Sequence, residues 1–306
     1  MSRQVAMSKS QLYVVCDLEG ASGISPANRE ALQHGSKLWR EQGRRFLTSD
    51  VRAVCDAAVA FGIDEIILND AHDTGMRTPN VLLHELPSNV RALGRPHLLG
   101  SPRRKARGNL YGVVFVGQHA MYGGGGFAPH TIQSPPIRAV AINGLPVGEI
   151  GLEMATFMKA KLLAVIGEAA AVAEARRLCP GVTGIPVKSL EENWFPAAAE
   201  TEAVIRRGVL RALQERDAAT GLDLKSPYRF TLTPCEGYGF DPQKRMRLRW
   251  LTRFIFFRLG RGHLTPREAS WQTSNIVGGL YVLQCARLFM SKSVAAPAVE
   301  QGTPRV

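Results

Sequence analysis

Short apolar runs alternate with longer amphipathic runs in the first half of the chain, and this alternation constrains the fold most strongly. LYVVCDLEG at residues 12–20, DEIILND at 64–70 and LYGVVFVGQHA at 110–120 predict three strands. The amphipathic run from Lys37 to Gly62 predicts a helix that ends at glycine. Because strands alternate with helices, we predict an α/β fold built on a mostly parallel, doubly wound sheet.

The later part of the chain continues this pattern and then departs from it. RAVAINGLPVGE, at residues 138–149, predicts a hairpin around Asn143-Gly144. A strand at LLAVIG and a helix stopped by Pro180 follow. We expect an α/β domain over residues 1–185, a smaller α+β portion over 186–293 that completes the fold and makes oligomer contacts, and a frayed tail over 294–306.

Composition excludes several classes of protein. The 306 residues are 45% hydrophobic, which is enough for a large core. The five cysteines are scattered without a CxxC pair, so neither a disulfide framework nor a thiolate metal site is indicated. No apolar run approaches the roughly 18 residues of a transmembrane helix, and we therefore expect a cytoplasmic protein.

The net charge of +12 is concentrated in one segment. Residues 244–262 carry seven basic side chains and no acidic one. Without this segment the remaining charge is modest, which argues against nucleic acid as a partner. Its aromatic residues cluster at helical spacing, which favours packing against the protein or a second copy over contact with an anionic membrane.

Groups suited to metal binding follow each of the three early strands. Residues two apart on a strand share a face, so Asp17 and Glu19 can converge on one point. In an open α/β sheet, ligands bind outside the carboxyl ends of the strands. Three successive strand ends that supply carboxylate, amide or imidazole groups therefore predict one shared site. These groups belong to Asp17, Glu19, Asp70, His72, Gln118 and His119.

Two later residues join this set by position. His130 follows a glycine-rich stretch, and Glu149 lies where the hairpin meets the next helix. Carboxylates and imidazoles together suit zinc, with manganese or cobalt as alternatives. Five such ligands exceed what one tetrahedral zinc needs, so a two-metal hydrolytic site is indicated. The proposed ligands are Asp17, Glu19, His72, His119 and Glu149.

Five short motifs in this order resemble the M55 D-aminopeptidases. They are DLEG, NDAH, GQHA, PHT and VGEIGLE, and the resemblance extends from about residue 12 to residue 164. It implies two Zn²⁺ ions per chain, with Asp17 as the bridge between them. Glu19 and His119 would then complete one ion, and His72 and Glu149 the other.

The resemblance also implies that His130 is the catalytic histidine, either as a nucleophile or as a group that stabilises the tetrahedral intermediate. The implied activity is removal of the N-terminal residue from short peptides, notably of D-alanine. The implied assembly is a homo-oligomeric ring, a pentamer or a decamer.

Two other functions fit the residues. One is a different two-metal hydrolase of amides or phosphoesters on the same scaffold. The other is a basic binding or membrane-associated protein with a vestigial site. A preference for D- or L-residues depends on pocket walls that the sequence does not place.

Overall fold

A computed structural model describes residues 9–73, 78–93, 109–132, 136–157, 159–240 and 261–292. Within them the chain forms two compact units. The first comprises the described parts of 1–132 and 147–225, and the second those of 133–146 and 226–306. The predicted boundary at 185/186 differs from this grouping, because it falls inside a strand of the first unit.

The secondary structure is mixed. The α-helices of the described residues are α1 (Arg44–Phe61), α2 (Glu149–Thr156), α3 (Ala169–Leu178), α4 (Ala198–Gln214) and α5 (Ile276–Arg287). The strands of the first unit are β1 (Ser10–Cys16), β2 (Glu65–Asp70), β3 (Val90–Ala92), β4 (Asn109–Gln118), β7 (Leu162–Glu168) and β8 (Thr183–Lys188). Those of the second are β5 (Ile137–Ile142), β6 (Leu145–Pro146), β9 (Tyr228–Pro234), β10 (Tyr238–Phe240), β11 (Arg261–Leu264), β12 (Ala269–Thr273) and β13 (Met290–Lys292).

The first unit is built on a six-stranded parallel sheet in the order β3-β2-β1-β4-β7-β8. The strand order reverses between β1 and β4, and open α/β sheets bind ligands at such a switch point. The α/β class and the parallel sheet are therefore confirmed. The sequence pattern did not reveal β3, which is only three residues long, or β8, which contains a proline.

Helices cover both faces of this sheet. Leu12, Val14 and Cys16 on β1 belong to a buried core cluster that includes residues of α1 and α4. Tyr13 lies on the opposite face of β1, with its ring 4.5 Å from that of Phe157 just after α2. Because both faces of β1 are covered, its sequence is a nearly continuous apolar run rather than an alternating one.

The predicted helix over residues 37–62 is confirmed, with one irregularity. Trp39–Gly43 forms a short π-helical turn before α1. Gly62 ends α1 with φ +100°, a left-handed conformation that glycine adopts at low cost.

The second unit contains an antiparallel sheet in the order β11-β12-β9-β5-β6 and a two-stranded ribbon of β10 and β13. The hairpin around Asn143 and Gly144 is confirmed, since both residues have positive φ and join β5 to β6. Phe230 and Trp271 stack with ring centroids 5.2 Å apart in its core.

Most of the basic segment 244–262 and the tail 294–306 lie outside the described residues. The predictions made for them therefore stay predictions. Among the helices that the structure describes, none is long and apolar enough to cross a bilayer.

Candidate metal centre

The five proposed metal ligands and the proposed catalytic histidine, His130, converge at the carboxyl edge of the parallel sheet. Asp17 and Glu19 follow β1, His72 follows β2 and His119 follows β4. His130 lies in the loop beyond β4, and Glu149 opens α2. The strands on either side of the switch point, β1 and β4, thus supply three of the six.

His72 lies directly between two carboxylates. Its Nδ1 is 3.2 Å from Oδ1 of Asp17 and 3.0 Å from Oε2 of Glu19. Its Nε2 is 2.9 Å from the carbonyl oxygen of Leu32. A carbonyl oxygen only accepts hydrogen bonds, so this contact holds a proton on Nε2 and directs Nδ1 towards the two carboxylates, the orientation of a histidine that binds a cation through Nδ1.

His119 also contacts a backbone carbonyl oxygen, but through Nδ1 rather than Nε2. Its Nδ1 is 2.9 Å from the carbonyl oxygen of Ala120. Its buried Nε2 lies 3.6 Å from Oδ2 of Asp17 and 3.8 Å from Oε1 of Glu149, and has no hydrogen-bond partner among the described residues. A buried imidazole nitrogen that faces two carboxylates without a hydrogen bond is the arrangement expected of a metal ligand.

His130 stacks on His119, with ring centroids 3.9 Å apart and an interplanar angle of 12°. Its Nδ1 is 3.0 Å from the carbonyl oxygen of Ala128. Its Nε2 lies 4.0 Å from Oε1 of Glu19 and 3.8 Å from Oε1 of Glu149. Its side chain is more exposed than those of the other two histidines, at 16% against 7% and 1%.

The donor set fits divalent cations. Among the described residues, potential ligand atoms form three groups, and the atoms within each group lie within 4.8 Å of one another. The groups are Asp17-Glu19-His72, Asp17-His119-Glu149 and Glu19-His119-His130. Asp17, Glu19 and His119 each belong to two of these groups. The two groups that contain Asp17 pair Glu19 with His72 and His119 with Glu149, whereas the resemblance pairs Glu19 with His119 and His72 with Glu149.

The electrostatics of the centre also call for positive charge. Burial and the nearby Glu19 raise the pKa of Asp17 well above its usual range. Burial also acts to raise the pKa of Glu19, but the charge and hydrogen bond of His72 outweigh it and hold that pKa well below normal. Three carboxylates this close together repel one another unless cations compensate them.

Two glycines allow the close approach of β1 and β4 at the site. A Cβ at Gly117 would lie 2.0 Å from the carbonyl oxygen of Asp17, and one at Gly20 would lie 2.0 Å from that of Gln118. Gly117 also has φ +69°. The segment that carries the acidic ligands therefore crosses directly over the end of β4, which brings it to His119.

Asp70 was grouped with possible ligands in the sequence, but it holds a neighbouring loop instead. Its carboxylate accepts hydrogen bonds from the backbone N–H of Asn80 at 2.6 Å and from Nδ2 of Asn80 at 2.8 Å. Asn80 Nδ2 also donates to the carbonyl oxygen of His72 at 2.9 Å, and Trp39 Nε1 donates to Oδ1 of Asn80 at 2.8 Å. These contacts fix the backbone of His72.

Three further buried charged residues support the site. Glu174 accepts from the N–H of Met121 at 2.8 Å and of Gly148 at 3.0 Å, which ties the loop after β4 to the start of α2. Glu168 and Lys188 are 1% exposed. Glu168 caps the start of α3 through the N–H of Ala170 at 3.2 Å and also accepts from the distant N–H of Leu190 at 2.9 Å. The partners of Glu174 and Lys188 are all distant in sequence, so no local spacing could have indicated those two residues.

Comparisons with known proteins bear on the family and the fold of the chain. The model of the Peptidase_M55 family, described as D-aminopeptidase, matches residues 11–237. A solved structure described as the Zn-dependent D-aminopeptidase DppA from Bacillus subtilis, a self-compartmentalizing protease, superposes with a TM-score of 0.72. That match covers 91% of this chain and 97% of the other at 19% identity, and so supports the fold. No curated protein sequence matches the chain.

Proposed function

The chain belongs to the M55 D-aminopeptidase family and is a metallo-aminopeptidase, and we propose that it removes the N-terminal residue from short peptides at a dinuclear zinc site. The observation that carries the proposal is the orientation of the imidazoles. Each of His72, His119 and His130 contacts a backbone carbonyl with one nitrogen and turns the other towards the shared carboxylates.

The proposed ligands are those that the motifs identify. Asp17 is assigned as the ligand shared by both ions because the family resemblance implies it, and its carboxylate is grouped both with Glu19 and His72 and with His119 and Glu149. Glu19 and His119 are assigned to one ion on the same resemblance, and they share a group with His130. The assignment of His72 and Glu149 to the other ion rests on the family resemblance.

Zinc bound here would lower the pKa of water and polarise the scissile carbonyl. The chain itself supplies the surroundings for that chemistry. Its three carboxylates make the site negative, which suits the ammonium group of a peptide N-terminus. The backbone at Ala120 and Leu32 keeps His119 and His72 in the tautomers that bind cations.

His130 is the proposed catalytic histidine. Because Ala128 accepts from Nδ1, the nitrogen that faces the site is Nε2. When Nε2 carries a proton, it can donate to the carbonyl oxygen of the substrate as negative charge develops there. The His130 side chain is more exposed than those of His72 and His119, which leaves it open to contact with substrate.

The first experiment measures metal content and substrate class together. Zinc-reconstituted protein should hold about two zinc ions per chain and release the N-terminal residue from aminoacyl nitroanilides until a chelator is added. D- and L-alanyl nitroanilides beside a phosphoester define the substrate class. Absence of bound zinc contradicts the proposal, and cleavage of the phosphoester alone favours a different two-metal hydrolase.

A second experiment separates His130 from the ligands. His130→Ala should retain the zinc content of the wild type and lose most of the turnover, by about 10²- to 10⁴-fold if it acts in proton transfer. His84→Ala is the matched control, because the His84 side chain is 79% exposed. Undiminished turnover in His130→Ala would remove this residue from the mechanism.

We also propose that the protein is a homo-oligomer, a pentamer or a decamer, since the similar solved structure is described as self-compartmentalizing. Analytical ultracentrifugation of the full chain tests this. A single species at 33.4 kDa, the mass of one chain, would contradict it.

A further inference from the structure

Lys188 is a fully buried cation at the end of β8, at the opposite side of the switch point from His72. Its Nζ donates to the carbonyl oxygens of Glu19 at 2.7 Å and of Ile24 at 2.8 Å. Both ends of the segment 19–24 are therefore held by one side chain. Glu19 is among the proposed metal ligands, so Lys188 holds the backbone of a ligand.

The course of the chain explains why a long side chain is needed here. β8 lies three strand positions from β1, roughly 14 Å away at the usual spacing of strands. The segment after β1 crosses over the end of β4, where Gly20 N donates to the carbonyl oxygen of Gly117 at 2.8 Å. Lys188 then reaches back from β8 to meet that segment on the far side of the crossing.

The same ammonium also contacts the loop that carries His130. Lys188 Nζ lies 5.2 Å from the centroid of the Phe127 ring, which is itself buried. Phe127 immediately precedes Ala128, whose carbonyl oxygen holds Nδ1 of His130. One side chain thus contacts both the segment of the proposed ligand Glu19 and the loop of the proposed catalytic histidine.

Lysine is a costly residue to bury at this position. Among the described residues, no carboxylate oxygen lies within 4.0 Å of its Nζ, although the charges of Asp50 and Glu168 act on it at longer range. Burial lowers the pKa of Lys188 to about 7. An apolar side chain would avoid that desolvation cost but could not bond the two carbonyl oxygens.

We propose that Lys188 is a positioning residue that fixes Glu19 and the His130 loop relative to one another. The proposal rests on the proposed function for the roles of these two residues. Its physical basis is that one ammonium group satisfies two buried backbone acceptors and packs on Phe127, so that the two segments cannot shift independently.

The test compares Lys188→Met with the wild type. Methionine keeps a long unbranched chain but removes the ammonium group. Turnover of the protein loaded with Co²⁺ should fall about 10- to 100-fold, the usual effect of losing a group behind the ligands, with a much smaller change in KM. The visible absorption spectrum of bound Co²⁺ should also change, because the ligand field depends on the position of Glu19.

Hydrogen exchange in the metal-free chain provides a measurement that needs neither metal nor activity. In Lys188→Met, exchange should accelerate in residues 19–24 and 126–132. The control is Leu213→Ala, which creates a cavity at a buried position of α4. Leu213 contacts Tyr111 near the amino end of β4, whereas the site lies at the carboxyl ends of the strands. The Leu213→Ala variant should destabilise the fold without changing the Co²⁺ spectrum, and it should not accelerate exchange in these two segments more than in the rest of the first unit.

Lys188→Gln keeps a neutral donor but is too short to reach both acceptors, so it should give values between those of the wild type and Lys188→Met. Wild-type turnover, spectrum and exchange in Lys188→Met would overturn the proposal. If Lys188→Met does not fold, wild-type turnover, spectrum and exchange in Lys188→Gln would overturn the proposal. Lack of peptidase activity in the wild type would instead contradict the proposed function, and the spectrum and exchange would still decide the role of Lys188.

Discussion

Replacing Gly117 with alanine should greatly weaken metal binding while the chain still folds. Gly117 lies in β4 with φ +69°, and a Cβ at this position would lie 2.0 Å from the carbonyl oxygen of Asp17. Real Cβ contacts essentially never fall under 3.0 Å. The backbone of Asp17 or that of β4 must therefore move by about 1 Å, because packed backbone atoms cannot overlap.

A displacement of that size exceeds what a metal site tolerates. Ligand distances in metal sites hold to within about 0.2 Å of their preferred values. Asp17 is the proposed shared ligand, so moving it should disturb both ions. We expect zinc affinity to fall by more than about 100-fold, the upper end of what loss of an outer-shell partner costs. The left-handed conformation costs alanine a further ~1–2 kcal/mol of stability.

Gly62→Ala is the matched control. Gly62 has φ +100°, and a methyl group added there would meet no neighbouring atom within 4 Å. The residue lies just before the amino end of β2, whereas the site lies at the carboxyl ends of the strands. It should therefore carry the backbone penalty alone. Competition with a chromophoric chelator measures zinc affinity, and thermal unfolding without metal measures stability. Wild-type zinc affinity in Gly117→Ala, or equal losses of affinity in the two variants, would refute the reasoning.

Three further changes test the centre and its surroundings. Asp17→Ala should lose both zinc ions, whereas Glu19→Ala should chiefly weaken one, as elemental analysis after dialysis can establish. Asn80→Ala should weaken zinc binding by about 10- to 100-fold, because the hydrogen bond that fixes the His72 backbone is lost; isothermal titration measures this. Burial raises the pKa of Glu153 to about 7. Between pH 4.5 and 7 the Glu153 carboxyl ionises in the unfolded chain but stays protonated in the folded chain. The metal-free protein should therefore lose up to about 3 kcal/mol of stability over this range. Urea titrations should show this loss in the wild type and a flatter profile in Glu153→Gln.

The first-unit sheet could be predicted from the sequence because its central strands are apolar on both faces. β1, β2, β4 and β7 are nearly continuous apolar runs, and such runs alternating with helices leave few alternatives to a parallel sheet. β8 gave no such signal, because TGIPVK contains glycine and proline and buries only part of its length. Within the part of the chain that the structure describes, β8 pairs with β7 alone, and an edge strand tolerates proline.

The convergence of the six site residues could be predicted for a related reason. Each early ligand follows a strand directly, and the carboxyl ends of parallel strands meet at one edge. Position along the chain was therefore enough to place them together. It was not enough to separate Asp70 from the ligands, because Asp70 also ends a strand; only its hydrogen bonds to Asn80 distinguish the two roles.

The groups behind the ligands could not be predicted, and the reason lies in what they bond. Lys188, Glu174 and Glu168 are bonded to backbone atoms, and a backbone N–H or carbonyl has no residue-specific signature in the sequence. Lys188 and Glu19 are 169 residues apart. The motifs therefore indicate which residues would bind metal, whereas buried charges from α3 and β8 hold the backbone next to some of them, at Met121, Gly148 and Glu19. A chain could carry every motif and still hold its metals poorly if those distant residues were changed, which is why Lys188→Met is a sharper test of the site than a further ligand substitution.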